Sequence, residues 1–126
     1  MDTNKDRKYD LEERLIDYAI LISELIEQLP DNKLCNHIGG QLIRSGTSPA
    51  LNYGEAQSAE SVNDFIHKLK IILKELRESN ISLKILLRKS YLELKDLIIP
   101  AQTETNELIS IFVKSIQTAK TNSLKK

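Results

Sequence analysis

The sequence predicts an all-α protein, an antiparallel up-down-up-down four-helix bundle, and three observations support that fold class. The 126 residues include only four Gly and three Pro, which favours long helices over turn-rich β architecture. Apolar residues recur at alternating intervals of three and four along four separate segments. Short turns join these segments, so successive helices are expected to lie antiparallel around one core.

The composition limits the class of protein. The chain is 40% hydrophobic and 29% charged, which is typical of one soluble globular domain covering residues 1–126. The polar ends, residues 1–9 and 121–126, are expected to be flexible. The formal charge is zero, so bulk charge gives no case for binding nucleic acid or a membrane. The single Cys35 and the lack of an apolar signal or spanning segment predict a cytoplasmic protein.

The first helix is expected to begin after Asp10, whose carboxylate is a suitable N-cap. Pro30 ends it at about Leu29, because proline disfavours helical geometry in the residue before it. Its inner face is the series Leu11, Leu15, Tyr18, Ile22, Leu25 and Leu29.

The second helix is expected to be capped by Asp31 or Asn32, and its inner face becomes small and polar halfway along. Two alternatives fit Pro49: a kink in one continuous helix, which we favour, or a helix that ends at Gly46 and restarts with Ser48 as cap. The small residues would let neighbouring helices approach closely. The inner series is Leu34, Ile38, Leu42, Ser45, Pro49, Asn52 and Ala56.

The third helix is the longest predicted element, from about residue 60 to 90. Its main row is Val62, Phe65, Leu69, Ile72, Leu76, Ser79, Leu83 and Leu86. A second row, Ile66, Leu73 and Leu87, widens the buried face.

The fourth helix has Pro100 inside its apolar pattern. Pro100 lies either in the first turn of a helix that starts near Ile98, or at a kink in one that starts near Leu92. The apolar series is Leu94, Leu97, Ile98, Ala101, Leu108, Ile111, Phe112 and Ile116.

Two charged rows with helical spacing stand out against the zero net charge. Residues 1–31 carry nine acidic and four basic side chains, whereas residues 67–95 carry eight basic and three acidic ones. We call the first row, with Ile20 in its vacant middle position, the acidic stripe: Asp10, Glu13, Asp17, Glu24 and Glu27, continued by Asp31. The second row, with Ile81 in the same place, is the basic stripe: Lys70, Lys74, Arg77, Lys84 and Arg88.

The stripes predict contacts between copies of the chain. Helices 1 and 3 of an up-down bundle are parallel and diagonal, so the two stripes do not meet within one subunit. Both stripes have three charges before the isoleucine. Two parallel helices can therefore align the stripes charge by charge, with Ile20 beside Ile81 at the centre of the contact, which we call the seam. Such a contact joins two different surfaces and builds a ring when its rotation closes. The alternative is that both are solvated faces that contribute almost nothing.

The sequence shows no catalytic, metal or cofactor site. Cys35 and His37 lie on different sides of a helix, and His67 is distant in sequence, whereas a metal site needs three or four convergent ligands. The glycines lack a phosphate-loop ending, and no Glu-x-x-His pair is present. We therefore expect no enzyme, no cofactor and no small-molecule substrate. The one internal cluster that we expect is a buried polar network, in which the glutamates pair with Arg44 and with the neighbouring Lys74. The members of the network are Arg44, Asn52, Glu55, Glu75 and Glu78.

Two linked motifs resemble a known bacterial family over about residues 10–120. They are Arg44-Ser45-Gly46-Thr47-Ser48, Ala50, Asn52-Tyr53 and Glu55-Ala56, followed by Asp64-Phe65-Ile66-His67-Lys68-Leu69-Lys70, Lys74-Glu75 and Glu78. In these residues the chain resembles the four-helix bundle proteins called 23S ribosomal RNA intervening-sequence proteins. It departs from their pattern at Pro49 and at residues 80–82, where relatives often have an aromatic pair.

The resemblance implies an up-down four-helix bundle that assembles as a homopentameric ring. Some relatives are encoded within insertions in ribosomal RNA genes. A similar ring occurs in the accessory protein of diversity-generating retroelements, which binds nucleic acid and a reverse transcriptase. The resemblance therefore also implies nucleic-acid binding as a second possible function.

Two functions follow as expectations. The first is a non-enzymatic, ring-forming bundle that acts as a scaffold or interaction module. The second is an RNA- or DNA-binding accessory protein whose candidate surface is Lys70, Lys74, Arg77, Lys84, Arg88, Lys114 and Lys120. The two compete, because sealing the basic stripe in a subunit contact leaves only the C-terminal lysines for phosphate groups.

Overall fold

The computed structural model describes residues 10–89 and 92–124, with the side chain of Leu92 excepted. These residues form four α helices: α1 (Leu11–Glu27), α2 (Lys33–Gln57), α3 (Val62–Arg88) and α4 (Lys95–Leu124). A 3₁₀ turn at Leu92–Leu94 precedes α4. The predicted all-α four-helix bundle is therefore confirmed. The ends predicted to be flexible lie outside the described residues at 1–9 and 125–126, while α4 continues through residues 121–124.

Side-chain caps fix the starts of the first three helices. A carboxylate oxygen of Asp10 accepts from the Glu13 amide at 3.1 Å, as predicted. Asn32, rather than Asp31, caps α2 by accepting from the Cys35 amide at 2.8 Å. Ser61 caps α3 by accepting from the Asp64 amide at 3.0 Å. Each cap satisfies one of the amide groups that the first turn of a helix leaves without a partner.

Pro49 and Pro100 both lie inside helical segments. Pro49 lies inside the unbroken α2, so the continuous helix is confirmed. Of the two alternatives for Pro100, a helical segment that starts near Leu92 is confirmed, because the 3₁₀ turn at Leu92–Leu94 continues directly into α4 at Lys95 and Pro100 is the sixth residue of α4. At that position proline removes only the bond to the Asp96 carbonyl, near the helix end, and its ring is exposed.

The bundle is ordered so that α1 packs on α2 and α4, and α3 packs on the same two helices. This arrangement places α1 and α3 on a diagonal. The predicted apolar rows supply the core, except that Val62 at the start of α3 is exposed. Within the described ranges, no helix carries an apolar stretch long enough to cross a membrane.

Buried hydroxyl groups interrupt the apolar core at mid-height. Ser45 on α2 and Ser79 on α3 share a hydrogen bond of 2.7 Å, and both side chains are fully buried. Tyr18 on α1 and Thr105 on α4 share another of 2.7 Å. Each helix thus contributes one hydroxyl to a polar belt, which we define as Ser45, Ser79, Tyr18 and Thr105.

Candidate functional site

The acidic stripe lies on the face of α1 that points away from the core. Its inward face is occupied by Leu15, Tyr18, Ile22 and Leu25, which are fully buried. All charged members of the stripe are exposed, and Ile20 among them is 54% exposed. An apolar side chain this open at the centre of a charged row is what a contact between proteins would cover.

The basic stripe lies on the outer face of α3, on the opposite side of the bundle. Its five charged members are exposed, and Ile81 is 55% exposed. Ile81 and Leu73 form part of a shallow groove of about 560 Å³, which we call the stripe groove. Its remaining lining residues are Lys70, Lys74, Arg77 and Glu78. The groove therefore has apolar walls and a mostly cationic rim.

Most charges of the stripes are uncompensated among the residues that the structure describes. With Arg88 left aside, no member of either stripe forms an ion pair among the described residues. Other charges are paired across neighbouring helices: Arg14 donates to Glu104 through Nε and Nη2, both at 2.8 Å, and Lys68 donates to Glu55 at 2.7 Å. The diagonal placement of α1 and α3 explains the difference, because it keeps the stripes apart.

An arginine joins α2 to α3 beside the polar belt. Arg44 donates through Nη1 to Glu75 at 2.7 Å and through Nη2 to Glu78 at 2.8 Å. These contacts, the Glu78 bond first and Glu75 second, raise the pKa of Arg44 above its ordinary value. The side chains of Arg44 and Glu78 are 52% and 40% exposed, whereas Glu75 is 8% exposed. The carboxylate of Glu75 is therefore the buried charge that Arg44 neutralises.

This geometry corrects the predicted buried network in two respects. Only three of its five residues meet, because Asn52 donates to the Ser48 carbonyl within α2 and Glu55 pairs with Lys68. The cluster is also open to solvent at Arg44. Lys74, expected as a partner for the glutamates, instead lines the stripe groove.

The remaining predicted site residues are dispersed. Cys35 is a free, buried thiol, and His37 and His67 are exposed on different helices. No group of three potential metal ligands occurs among the residues that the structure describes. Lys114 and Lys120, from the alternative nucleic-acid surface, are exposed on α4. Leu73 was predicted only as part of a widened core face, and its place in the stripe groove depends on how α3 packs.

Comparisons with known proteins agree with this architecture. A sequence model described as "23S rRNA-intervening sequence protein" matches residues 7–114. A solved structure of a protein of unknown function, from the S23 ribosomal protein family of Bacteroides thetaiotaomicron, is similar with a TM-score of 0.72 and 28% identity. The similarity covers 84% of this chain and 94% of that one. No curated protein matches the sequence.

Proposed function

The chain belongs to the 23S rRNA-intervening sequence protein family, and on that premise we propose that it is a non-catalytic scaffold that assembles into a ring. One observation supports this most directly. Ile20 and Ile81 are each more than half exposed, and each stands at the centre of a charged stripe of opposite sign. We further propose a cytoplasmic location, which the free thiol of Cys35 supports.

The proposed contact places the acidic stripe of one copy against the basic stripe of the next. Because the stripes lie on opposite sides of the bundle, each copy has one surface of each kind. Copies joined in this way form a closed ring or an open fibre, according to the rotation at each contact. A rotation about an axis parallel to the bundle keeps α1 and α3 parallel, as the matched order of charges requires. The family resemblance implies five copies in the ring.

The apolar seam and the charges have different roles in this contact. Fully burying an isoleucine contributes about 1.5–3 kcal/mol, so Ile20 and the groove beside Ile81 would supply most of the affinity. Exposed ion pairs contribute only about 0.2–1 kcal/mol each. Their order nevertheless selects one register, in which Glu13 faces Lys74 and Asp17 faces Arg77, because a slipped register would place Ile20 and Ile81 against charged groups.

Light scattering coupled to size exclusion tests the assembly. We expect the unmodified chain to elute as an oligomer at micromolar concentration. Lys74→Glu combined with Arg77→Glu should give monomers, and adding Glu13→Lys and Asp17→Lys should restore the oligomer. Lys33→Glu combined with Lys114→Glu makes the same change of net charge on exposed residues outside the stripes. A monodisperse monomer of the unmodified chain would contradict the proposal.

An RNA- or DNA-binding accessory role is the second candidate, supported by the row of exposed cations from Lys70 to Lys84, which form no ion pair with any described residue. Phosphate binding by such a row weakens steeply with salt. A gel-shift titration at several salt concentrations tests it, with Lys84→Ala as the variant and Lys33→Ala as the control. Binding that is independent of salt, or equal in both variants, would exclude the stripe as the nucleic-acid surface.

A further inference from the structure

A second groove, which shares only Lys70 with the stripe groove, opens at the end of the bundle where α3 begins and α4 ends. Its volume is about 410 Å³. We call it the end groove, and its lining residues are Asn63, Ile66, His67, Lys70, Lys120, Ser123 and Leu124. Lys70 and Lys120 are 50 residues apart in the sequence, so only the packing of α4 on α3 brings them to one site.

The charged groups that line the end groove are all basic. Its charged and titratable lining residues are two lysines and a histidine, and no carboxylate lines it. Among the described residues, none of these three side chains forms an ion pair. Asn63 and Ser123 add neutral hydrogen-bonding groups. Two ammonium groups that share a groove without a counter-charge repel each other, and a bound anion removes that repulsion.

We propose that the end groove binds a phosphate group of the kind carried by nucleotides. Phosphate suits this set because it accepts several hydrogen bonds at once from ammonium and neutral donors. A volume of about 410 Å³ exceeds what a bare phosphate fills and lies in the range of small-molecule sites. Ile66 and Leu124 supply the apolar contact that a sugar or base attached to the phosphate would need.

This proposal does not depend on ring assembly. Lys70 lines both the end groove and the stripe groove, whereas Lys120 lines only the end groove. Substitution of Lys120 therefore tests phosphate binding without touching the stripes. Phosphate binding that requires Lys120 in a monomeric protein would support the end groove and contradict the ring, so the two ideas fail separately.

Isothermal titration calorimetry on the full chain, with inorganic phosphate, adenosine monophosphate and a short single-stranded oligonucleotide, tests the site. We expect Lys120→Ala to weaken binding of each probe about fivefold to tenfold, since one charge-assisted hydrogen bond is lost. Lys114→Ala, an exposed lysine of α4 outside the groove, is the matched control and should change little.

The three probes distinguish the source of the phosphate. Equal affinity for inorganic phosphate and the mononucleotide would support a site for the phosphate alone. Tighter binding of the mononucleotide would support contact of the nucleoside with Ile66 and Leu124, and a further gain with the oligonucleotide would support a polynucleotide ligand. The absence of measurable binding at millimolar concentrations of all three, or equal losses in Lys120→Ala and Lys114→Ala, would overturn the proposal.

Discussion

Tyr18 donates its hydroxyl proton to Thr105 across the core, and the other contacts of Thr105 establish that direction. The two oxygens are 2.7 Å apart, in a bond that joins α1 to α4. Thr105 Oγ1 is also 2.7 Å from the carbonyl of Ala101, which can only accept. The single proton of the threonine hydroxyl is used in that bond, so Thr105 must accept from Tyr18.

Ser45 and Ser79 form the second hydrogen bond of the polar belt, 2.7 Å long and between α2 and α3. Burial raises the pKa of Tyr18, and the hydroxyls of Thr105 and then Ser79 partly oppose that rise. Two buried hydrogen bonds, one between α1 and α4 and one between α2 and α3, thus constrain the relative height of the helices.

Tyr18→Phe should destabilise the bundle by about 1–2 kcal/mol, because it removes a buried hydroxyl that donates to Thr105. Urea unfolding followed by circular dichroism measures the change. Tyr53→Phe is the matched control: its ring packs edge-to-face on Phe112, and its hydroxyl has no hydrogen bond among the described residues. An equal loss in the two variants would contradict a stabilising role for the bond between Tyr18 and Thr105.

High pH should destabilise the protein through the same tyrosines. Burial is the main cause that raises the pKa of Tyr18 and of Tyr53 above the ordinary value of 10.0. The unfolded chain therefore releases these protons first, and the free energy of unfolding falls as the pH rises above about 10, by at most about 1.4 kcal/mol per pH unit for each tyrosine. Unfolding curves at rising pH should show a shallower decline in Tyr18→Phe, and an unchanged slope would exclude Tyr18 as a cause.

The sequence predicted the helices well because their apolar rows repeat with helical spacing, and the stripes lie opposite those rows. It did not predict the burial of Thr105, because a threonine between Ala101 and Leu108 has no apolar character. Its partner Tyr18 is 87 residues away in the sequence, so the reason for its burial appears only when α1 and α4 pack together.

In the candidate sites, too, residue spacing predicted some features, and helix packing determines the others. Exposure of the stripes follows from helical geometry, so residue spacing was sufficient to predict it. The partner of Glu55 depends on which flank of α2 faces α3, and the shared groove of Lys70 and Lys120 depends on how closely two helix ends approach. Side-chain partners between helices are set by packing, and spacing along one helix does not determine them.

Gly46→Ala should destabilise the bundle by about 1–3 kcal/mol, because α1 and α2 approach closely at this residue. An added Cβ would lie 2.8 Å from Cγ2 and 3.0 Å from Cβ of the buried Ile22. The Cβ of Ile22 cannot move away without moving α1 itself. Thermal unfolding would report the loss as a lower Tm.

Gly40→Ala is the control within the same helix. A Cβ there meets nothing within 4 Å, so the substitution should stabilise α2 by about 0.5–1 kcal/mol through helix propensity. Opposite signs at the two positions would establish close approach at Gly46. A gain in stability for Gly46→Ala would show that α1 and α2 have room to separate.

Ile20→Ser should weaken self-association more than it changes the stability of the single chain. The side chain is 54% exposed, so its loss removes little core packing, whereas the proposed seam would lose most of its apolar contact. Sedimentation equilibrium of Ile20→Ser and of Ile81→Ser should show similar losses of affinity, because each changes one side of the same contact. Leu51→Ser, which alters a more exposed residue of α2 outside both stripes, should leave association unchanged. A loss with Leu51→Ser that equals the loss with Ile20→Ser would place the contact on another face of the bundle.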